Sequence, residues 1–568
     1  MINYKQKIAE YISSEYKEIS LEKIYNNLEI PPDNNLGDYA LPCFKLSPIL
    51  KKSPEDISIN LASTLSSNEY IKEIKSQGPY LNFFIKNDLL IKTVLEEIIE
   101  KKDKFGSKNI GENENIVVDF SSPNIAKPFH VGHLRSTVIG NSLYNIYEFL
   151  GYNCIGINHL GDWGTQFGKL IYAFKEWGDK ELIKEEPIDH LLNLYVKFHE
   201  KAEEKPELEN EGRKWFKKLE EGNQKARELW ENFVELSLKE FSKIYDLLGI
   251  EFDEQTGESF YNDKMDKVVE LLKEKNLLKS SEGAKIVDLE EYDMPPCLIK
   301  KQDGATTYAT RDLAAAIYRN DKYNFEKALY VTDYSQKLHF SQWMKVIELM
   351  EYEWADKLEH IPFGRVSSAD GSLKTRKGNV ILLEDLIEKA ITKVKNIISE
   401  KNPQLQNKNK IAEKIAIGAI IYNDLSRSKI KDIVFDWDEM LDFEGETGPY
   451  VQYTYTRINS VLEKADFEAS NPKLNNYSIL EQKEIIKLIK LLYKFPDKIV
   501  KAKQNNEPSI ITGNITNIAK AYNKFYHEYQ IISDNEKEQK ARLVLSYTVK
   551  KVLEIGLDLL GIETLEEM

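Results

Sequence analysis

The chain reads as an α/β protein built on a parallel sheet, with a helical insertion inside it, a small mixed segment before it and a long helical segment after it. Three observations predict this. The first is an apolar burst, Ile116-Val117-Val118-Asp119-Phe120, of the kind found in strands covered on both faces. The second is the succession of a loop carrying Pro123 and Pro128, a helical stretch from about His133 to Leu150, and a short strand around Tyr152 to Asn158. Strand, loop, helix and strand in that order open a βαβ unit. The third is the return of strand signals at Leu329-Tyr330-Val331-Thr332 and around Ile361 to Ser367, after a strongly helical, charged stretch from about 170 to 285. The sheet is therefore interrupted in sequence and later resumed, and sheets of this type bind ligands at the carboxyl ends of their strands.

Taken in order, the first elements are an amphipathic helix from Tyr4 to Tyr16, a polar turn at Pro31-Pro32-Asp33-Asn34-Asn35, a strand within Gly78 to Ile85 and a helix from Leu89 to Lys102 that stops at Gly106. The polar run Gly111-Glu112-Asn113-Glu114-Asn115 marks a boundary before the apolar burst. Within the insertion, Trp177, Trp215 and Trp230 are the expected anchors. From about 385 onwards helical patterning dominates, and no repeat of fixed period or long low-complexity tract interrupts it.

Composition narrows the function classes. With 568 residues, 42% of them hydrophobic and 30% charged, the chain can bury several cores, and about three to five domains are expected. Glycine at 27 and proline at 18 exclude a collagenous or broadly disordered chain. No apolar run of about 18 residues occurs, and the opening MINYKQKIAEY lacks a signal-like apolar segment, so a cytoplasmic protein without membrane contact is expected. Cys43, Cys154 and Cys297 are too far apart in sequence for a paired-cysteine zinc site, and no structural metal is expected. A net charge of -15 argues against nucleic-acid binding through a global positive field and leaves only local patches.

The most informative segment is Ser121-Ser122-Pro123-Asn124-Ile125-Ala126-Lys127-Pro128-Phe129-His130-Val131-Gly132-His133. Two histidines three apart sit where a strand hands over to a helix, and a phosphate chain placed there meets free backbone N–H groups and the positive end of the helix dipole. Imidazole donors at that point can hold phosphate oxygens that gain charge as an anhydride opens. Gly132 lets a nucleotide approach the backbone closely. An ordinary loop with two surface histidines is the competing reading. A metal pair lacks a third ligand at usual spacing. No Gly-x-Gly-x-x-Gly follows a strand, and Gly164 to Lys169 misses the phosphate-loop pattern because Leu170 stands in place of Ser or Thr.

The stretch from Asp119 to Lys169, including Asn158-His159-Leu160-Gly161-Asp162-Trp163-Gly164-Thr165-Gln166-Phe167-Gly168, resembles the active-site signature of arginyl-tRNA synthetases, which are class I aminoacyl-tRNA synthetases. Gly445-Glu446-Thr447-Gly448-Pro449-Tyr450-Val451-Gln452-Tyr453 and the closing Leu559-Leu560-Gly561-Ile562 with Met568 extend the resemblance over essentially the whole chain. It implies a Rossmann-like parallel-sheet catalytic domain with helical insertions, a small α+β N-terminal domain and an all-α C-terminal anticodon-binding domain. The boundaries it suggests are 1–110, 111–385 with the insertion at about 170–285, a helical connection at 386–444, and 445–568. The implied reaction is ATP-dependent ligation of L-arginine to tRNA(Arg) through arginyl-adenylate, with Mg²⁺ carried on the nucleotide and a cytoplasmic monomer as the working form.

Residue by residue, the resemblance gives His130 and His133 to the family's HIGH motif and the ATP phosphates, with Pro123, Phe129 and Gly132 beside them. It gives Asp119, Asn124, His159, Tyr308, Asp312 and Gln336 to arginine, whose guanidinium needs an anion and planar acceptors. Tyr308 and Asp312 are four apart and share one face of a helical turn. Asp119 stands where some relatives have a glutamate. The second class I signature is degenerate: in Ser372-Leu373-Lys374-Thr375-Arg376-Lys377-Gly378, Ser372 and Thr375 occupy the two lysine positions. Lys374, Arg376 and Lys377 remain as possible phosphate contacts, and Lys127 is assigned the missing catalytic charge. For tRNA, Asn34, Asn35 and Tyr39 are implied in the N-terminal part, and Tyr450, Tyr453 and Tyr526 in the C-terminal part. Residues 481–533 carry nine Lys against five Asp plus Glu, interleaved with Tyr493, Phe495, Tyr522, Phe525, Tyr526 and Tyr529 that could stack on unpaired bases. The competing reading of those aromatics is the core of a helical bundle. A non-catalytic tRNA-binding relative and a small-molecule nucleotidylyltransferase are the rival functions.

Overall fold

The computed structural model describes residues 1–368, 382–468, 472 and 474–568. The sheet predicted by the apolar burst is a four-stranded parallel one, in the order Leu358–Phe363, Lys327–Asp333, Asn115–Asp119, Asn153–Ile157. Ile116, Val117 and Val118 are at most 1% exposed, as expected of a strand covered on both faces. From that strand the chain crosses through the helix Val131–Phe149 to the neighbour on one side, and it returns much later to the neighbour on the other. The carboxyl end of Asn115–Asp119 is thus the switch point of the sheet, where a crevice opens. The crossover helix lies tight against the strand end because position 140 is glycine: a Cβ there would stand 2.2 Å from the Phe120 Cβ.

The insertion is helical as expected: Thr165–Trp177, Pro187–Glu204, Glu207–Glu220 and Gln224–Leu248. Trp230 ties it to the signature segment by donating Nε1–H to the Asp162 carbonyl at 2.7 Å, while Trp215 is clasped between Lys175 and Lys218 at 4.1 and 4.2 Å. Helix was expected to about 285, but it ends at Glu274, and Leu278–Ser281, Ala284–Val287 and Cys297–Lys300 form a three-stranded antiparallel sheet. Glu282 at φ 48° and Gly283 at φ 81° make the tight two-residue turn that the charged composition concealed.

By contact density the chain forms two compact units, each assembled from three stretches. The one bearing the parallel sheet comprises Gly106–Thr456, Pro496–Thr516 and Glu554–Met568. The other comprises Met1–Phe105, Arg457–Phe495 and Asn517–Leu553. In this second unit the helices Tyr4–Glu15 and Asn87–Lys101 and the strand Tyr80–Ile85 form where expected. The short strands Tyr39–Pro42 and Ile71–Gln77 flank Tyr80–Ile85, two strands beyond the one the sequence predicts there. Tyr493 donates to the Ile2 carbonyl at 3.0 Å, and Phe105 stacks on Phe495 at 6.3 Å. Among the described residues no helix is long and apolar enough to cross a membrane.

Candidate active site

The loop leaving the first strand is strained and held in place. Ser121, Ser122 and Ala126 have φ of 71°, 51° and 60°, left-handed conformations that cost non-glycine residues on the order of 1–3 kcal/mol each. The surroundings over-determine them. The Ser121 hydroxyl lies 2.8 Å from the Tyr245 hydroxyl and accepts from Thr137 at 2.9 Å. Asn158 Oδ1 accepts the Ser122 amide at 3.2 Å, and Ser237 Oγ accepts the Ala126 amide at 3.0 Å.

The loop delivers the two histidines as a helix cap. His130 Nδ1 accepts the Gly132 amide at 3.1 Å, His133 Nδ1 accepts the His130 amide at 3.2 Å, and the two rings stack with centroids 3.8 Å apart. Burial, with Lys127 nearby, lowers the pKa of both, that of His133 far below the ordinary imidazole value. Two neutral rings whose Nδ1 atoms accept must carry their protons on Nε2. The pair is therefore two fixed N–H donors. The space above Gly132 is filled by the His130 ring, where a Cβ would come within 2.8 Å, and this is a different reason for glycine than the close nucleotide approach expected from sequence.

Both histidines line a cavity of about 370 Å³ at the switch point, together with Asn124, Asp333, Gln336 and the segment Phe363 to Val366. That volume lies within the range of ordinary ligand pockets. Pro123 and Phe129 do not line it. Both are buried, and Phe129 packs edge-on against Phe241 and Tyr245 and lies 5.1 Å from His133, so it props that ring from behind.

Beside the cavity lies a second cluster. Asp312 is partly open to solvent, and its Oδ2 stands 2.5 Å from His339 Nε2. Tyr308, on the same helix, is 62% exposed. His159 is partly buried, desolvation lowers its pKa, and it feels both Asp119 and Asp312. Asp119 itself is committed: Arg319, 1% exposed, contacts its Oδ2 at 2.7 Å, and Ser122 donates to its Oδ1 at 3.1 Å. Asp119 therefore meets an internal guanidinium, which sequence did not foresee, and its other oxygen is already engaged by Ser122. Glu258 completes the cluster. Burial pushes its carboxyl up to about 7 against the pull of Arg311, with Asp162 and Asp312 adding to the rise. Glu258, His339, Arg319 and the buried Arg135 were missed, although Arg135 and Arg319 carried a signal, since each is a charge at an apolar position of a helical pattern.

Other expected site residues fall elsewhere. Lys127 lies close enough to act on both histidines. Lys374, Arg376, Lys377 and the two signature positions Ser372 and Thr375 lie outside the described residues. Asn34 opens a short 3₁₀ turn and Asn35 is exposed beside it, but Tyr39 is only 8% exposed and belongs to the core of its unit. Tyr450 is half-buried, Tyr453 is 38% exposed, and Tyr526 stacks against Arg457 at 5.0 Å. The expectation that the aromatics of 481–533 stack on bases fails for Phe495, Tyr522 and Phe525, which are 0% exposed because they fill the helical core.

Three family models match the chain: the class I (R) tRNA synthetase catalytic domain over residues 94–437, the DALR anticodon binding domain over 451–568, and the arginyl tRNA synthetase N terminal domain over 3–85. The arginine–tRNA ligase of Halothermothrix orenii is 54% identical over the full length of both chains. The chain belongs to the arginyl-tRNA synthetases. The fold agrees with solved members of that family. The arginyl-tRNA synthetase of Plasmodium falciparum superposes with a TM-score of 0.79 at 28% identity, covering 100% of this chain and 98% of the other. That of Thermus thermophilus shares the fold with a TM-score of 0.82 over 99% of this chain and 100% of the other. Arginyl-tRNA synthetases are class I ligases, and the parallel sheet with its histidine-capped helix supplies the catalytic frame for that class.

Proposed function

We propose that the chain joins L-arginine to the terminal adenosine of tRNA(Arg) in two steps within the cavity at the switch point. In the first, an oxygen of the arginine carboxylate attacks the α-phosphorus of ATP, the bond to the β-phosphate oxygen breaks, and arginyl-adenylate and diphosphate result. In the second, the 2′-hydroxyl of the tRNA's last ribose attacks the acyl carbon, loses its proton, and AMP leaves. The observation that carries this reading is the neutral pair His130 and His133, both Nδ1 atoms engaged, lining one cavity with Asn124 and Gln336. Their Nε2–H groups are preorganised donors for phosphate oxygens that gain charge, so positioning and electrostatics carry most of the rate. Asp312, Glu258 and Tyr308 are assigned to the guanidinium, and Asn124 with Asp119 Oδ1, which Ser122 also contacts, to the α-amino end.

ATP would bring Mg²⁺ with it. Among the described residues no three His, Cys, Asp or Glu side chains stand together as a metal cage, and Asp333 is the carboxylate on the cavity wall. That donor set suits an ion held mainly by phosphate oxygens and water, with Asp333 as the protein group able to face it, and such an ion would neutralise phosphate charge. The C-terminal helices are assigned to the anticodon arm of tRNA(Arg) and the exposed turn at Asn35 to another part of the tRNA. A role in translation supports a cytoplasmic location. Arginine-dependent pyrophosphate exchange, with and without tRNA(Arg), tests the proposal, and exchange supported equally well by another amino acid would overturn it.

A further inference from the structure

We infer that His339 is a positioning residue that sets arginine affinity by pinning the Asp312 carboxylate. The inference rests on the assignment of Asp312 to the guanidinium. His339 Nε2 lies 2.5 Å from Asp312 Oδ2, a separation that requires a proton between them, so the imidazole donates and the carboxylate accepts. The donor is held from behind. His339 sits in the first turn of the helix Lys337–Leu349, just after Gln336, and its ring meets Phe340 edge-on at 5.7 Å. Phe340 stacks on His360 at 4.4 Å, and His360 is bonded through Nε2 to Thr332 Oγ1 at 2.8 Å. Thr332 and Gln336 both line the nucleotide cavity. The helix that presents His339 to the amino-acid pocket is thus seated on the wall of the nucleotide pocket.

An aspartate turns freely about its last torsion, whereas a guanidinium is best met by a carboxylate held coplanar with its fork. His339 fixes Oδ2 and leaves Oδ1, with the outer lone pair of Oδ2, for the substrate. Asp312 and His339 are each about a quarter to a third exposed, so the carboxylate remains open to a ligand and the histidine can be replaced without opening a core.

The test is arginine-dependent pyrophosphate exchange on the full chain with tRNA(Arg) present. His339→Ala is expected to raise the KM for arginine about tenfold, with kcat and the KM for ATP within about threefold of the parent, as loss of one charge-assisted hydrogen bond would do. His339→Gln, whose amide can donate to the same oxygen, is expected to recover most of that loss. In an Asp312→Asn background, His339→Ala should shift the KM by less than about twofold, since the two side chains act as one unit. A large KM effect of Asp312→Asn with none from His339→Ala overturns the inference alone, as does full additivity of the two. A flat response to Asp312→Asn removes Asp312 from the pocket and the inference with it.

Discussion

Lys127 stands close to two neutral histidines in a loop whose backbone is already strained, and on the proposed reading its charge answers the negative charge that the leaving diphosphate gains. With Thr375 in a second-signature lysine position, Lys127→Ala should slow single-turnover adenylate formation about 10²-fold while arginine affinity stays nearly intact. A rate above about a third of the parent's would return the role to Lys374, Arg376 or Lys377. Glu258 offers a pH test. Its carboxyl titrates at about 7 in the fold against 4.5 as the ordinary value, so the folded chain holds a proton there that the unfolded chain has lost. The stabilisation is fully present below the lower value and is lost as pH rises through the upper one, by up to about 3 kcal/mol. Urea midpoints at acid and neutral pH should reveal that slope, and Glu258→Gln should flatten it. A bound guanidinium favours the ionised form, so the KM for arginine should also fall as pH rises through 7 and become flat in the same variant. The histidine pair was legible because its members are three apart in sequence. Glu258 and His339 were not, because each gains its meaning from Arg311 or Asp312 on another element.

At the scale of elements, one buried residue of the crossover helix reaches several distant segments of the catalytic unit at once. Arg135, 0% exposed, donates from Nη1 to the carbonyls of Gly364 and Lys431 at 2.8 Å each, from Nη2 to Lys429 at 3.2 Å, and from Nε to Asp424 at 3.3 Å. It thereby joins the histidine-bearing helix to the segment that forms the cavity wall at Phe363 to Val366 and to the helix Lys408–Leu425. Burial raises the Asp424 carboxyl even with Arg135 beside it, so removal of the arginine would strand an acid in the core. Arg135→Met should cost about 3–5 kcal/mol in chemical denaturation, and adding Asp424→Leu should recover much of it. If the double variant is no more stable than the single one, the pair is not what holds these elements together. Elements with a strong local signal, such as the apolar run of Asn115–Asp119 and the long helix Val131–Phe149 that follows its loop, were readable in advance. The Leu278–Val287 hairpin was not, since its strands are only four residues long and the first is largely exposed and polar.

At the scale of the molecule, the first 105 residues are part of a unit completed by distant chain. Tyr477 donates to Glu96 at 2.9 Å, Lys551 to Asp103 at 2.8 Å, and Lys490 is paired with Asp38. Deleting residues 1–105 should therefore expose the apolar faces of the C-terminal helices. The truncated chain is expected to lose helical circular dichroism and to be cut by protease within 457–553, and a truncation as resistant as the parent would contradict this.

The opening strand–helix–strand unit, the helical insertion, the histidine pair and the family were all determined by the sequence. Each depends on residues close together in the chain, where spacing translates directly into geometry. The commitment of Asp119 to Arg319, the packing of Phe129 behind His133, the burial of Tyr39 and of the aromatics near the C-terminus, and the carboxyl of Glu258 at about 7 were decided only by tertiary structure. Burial and the charge of a neighbour far along the chain set each of these, and neither quantity exists until the chain has folded.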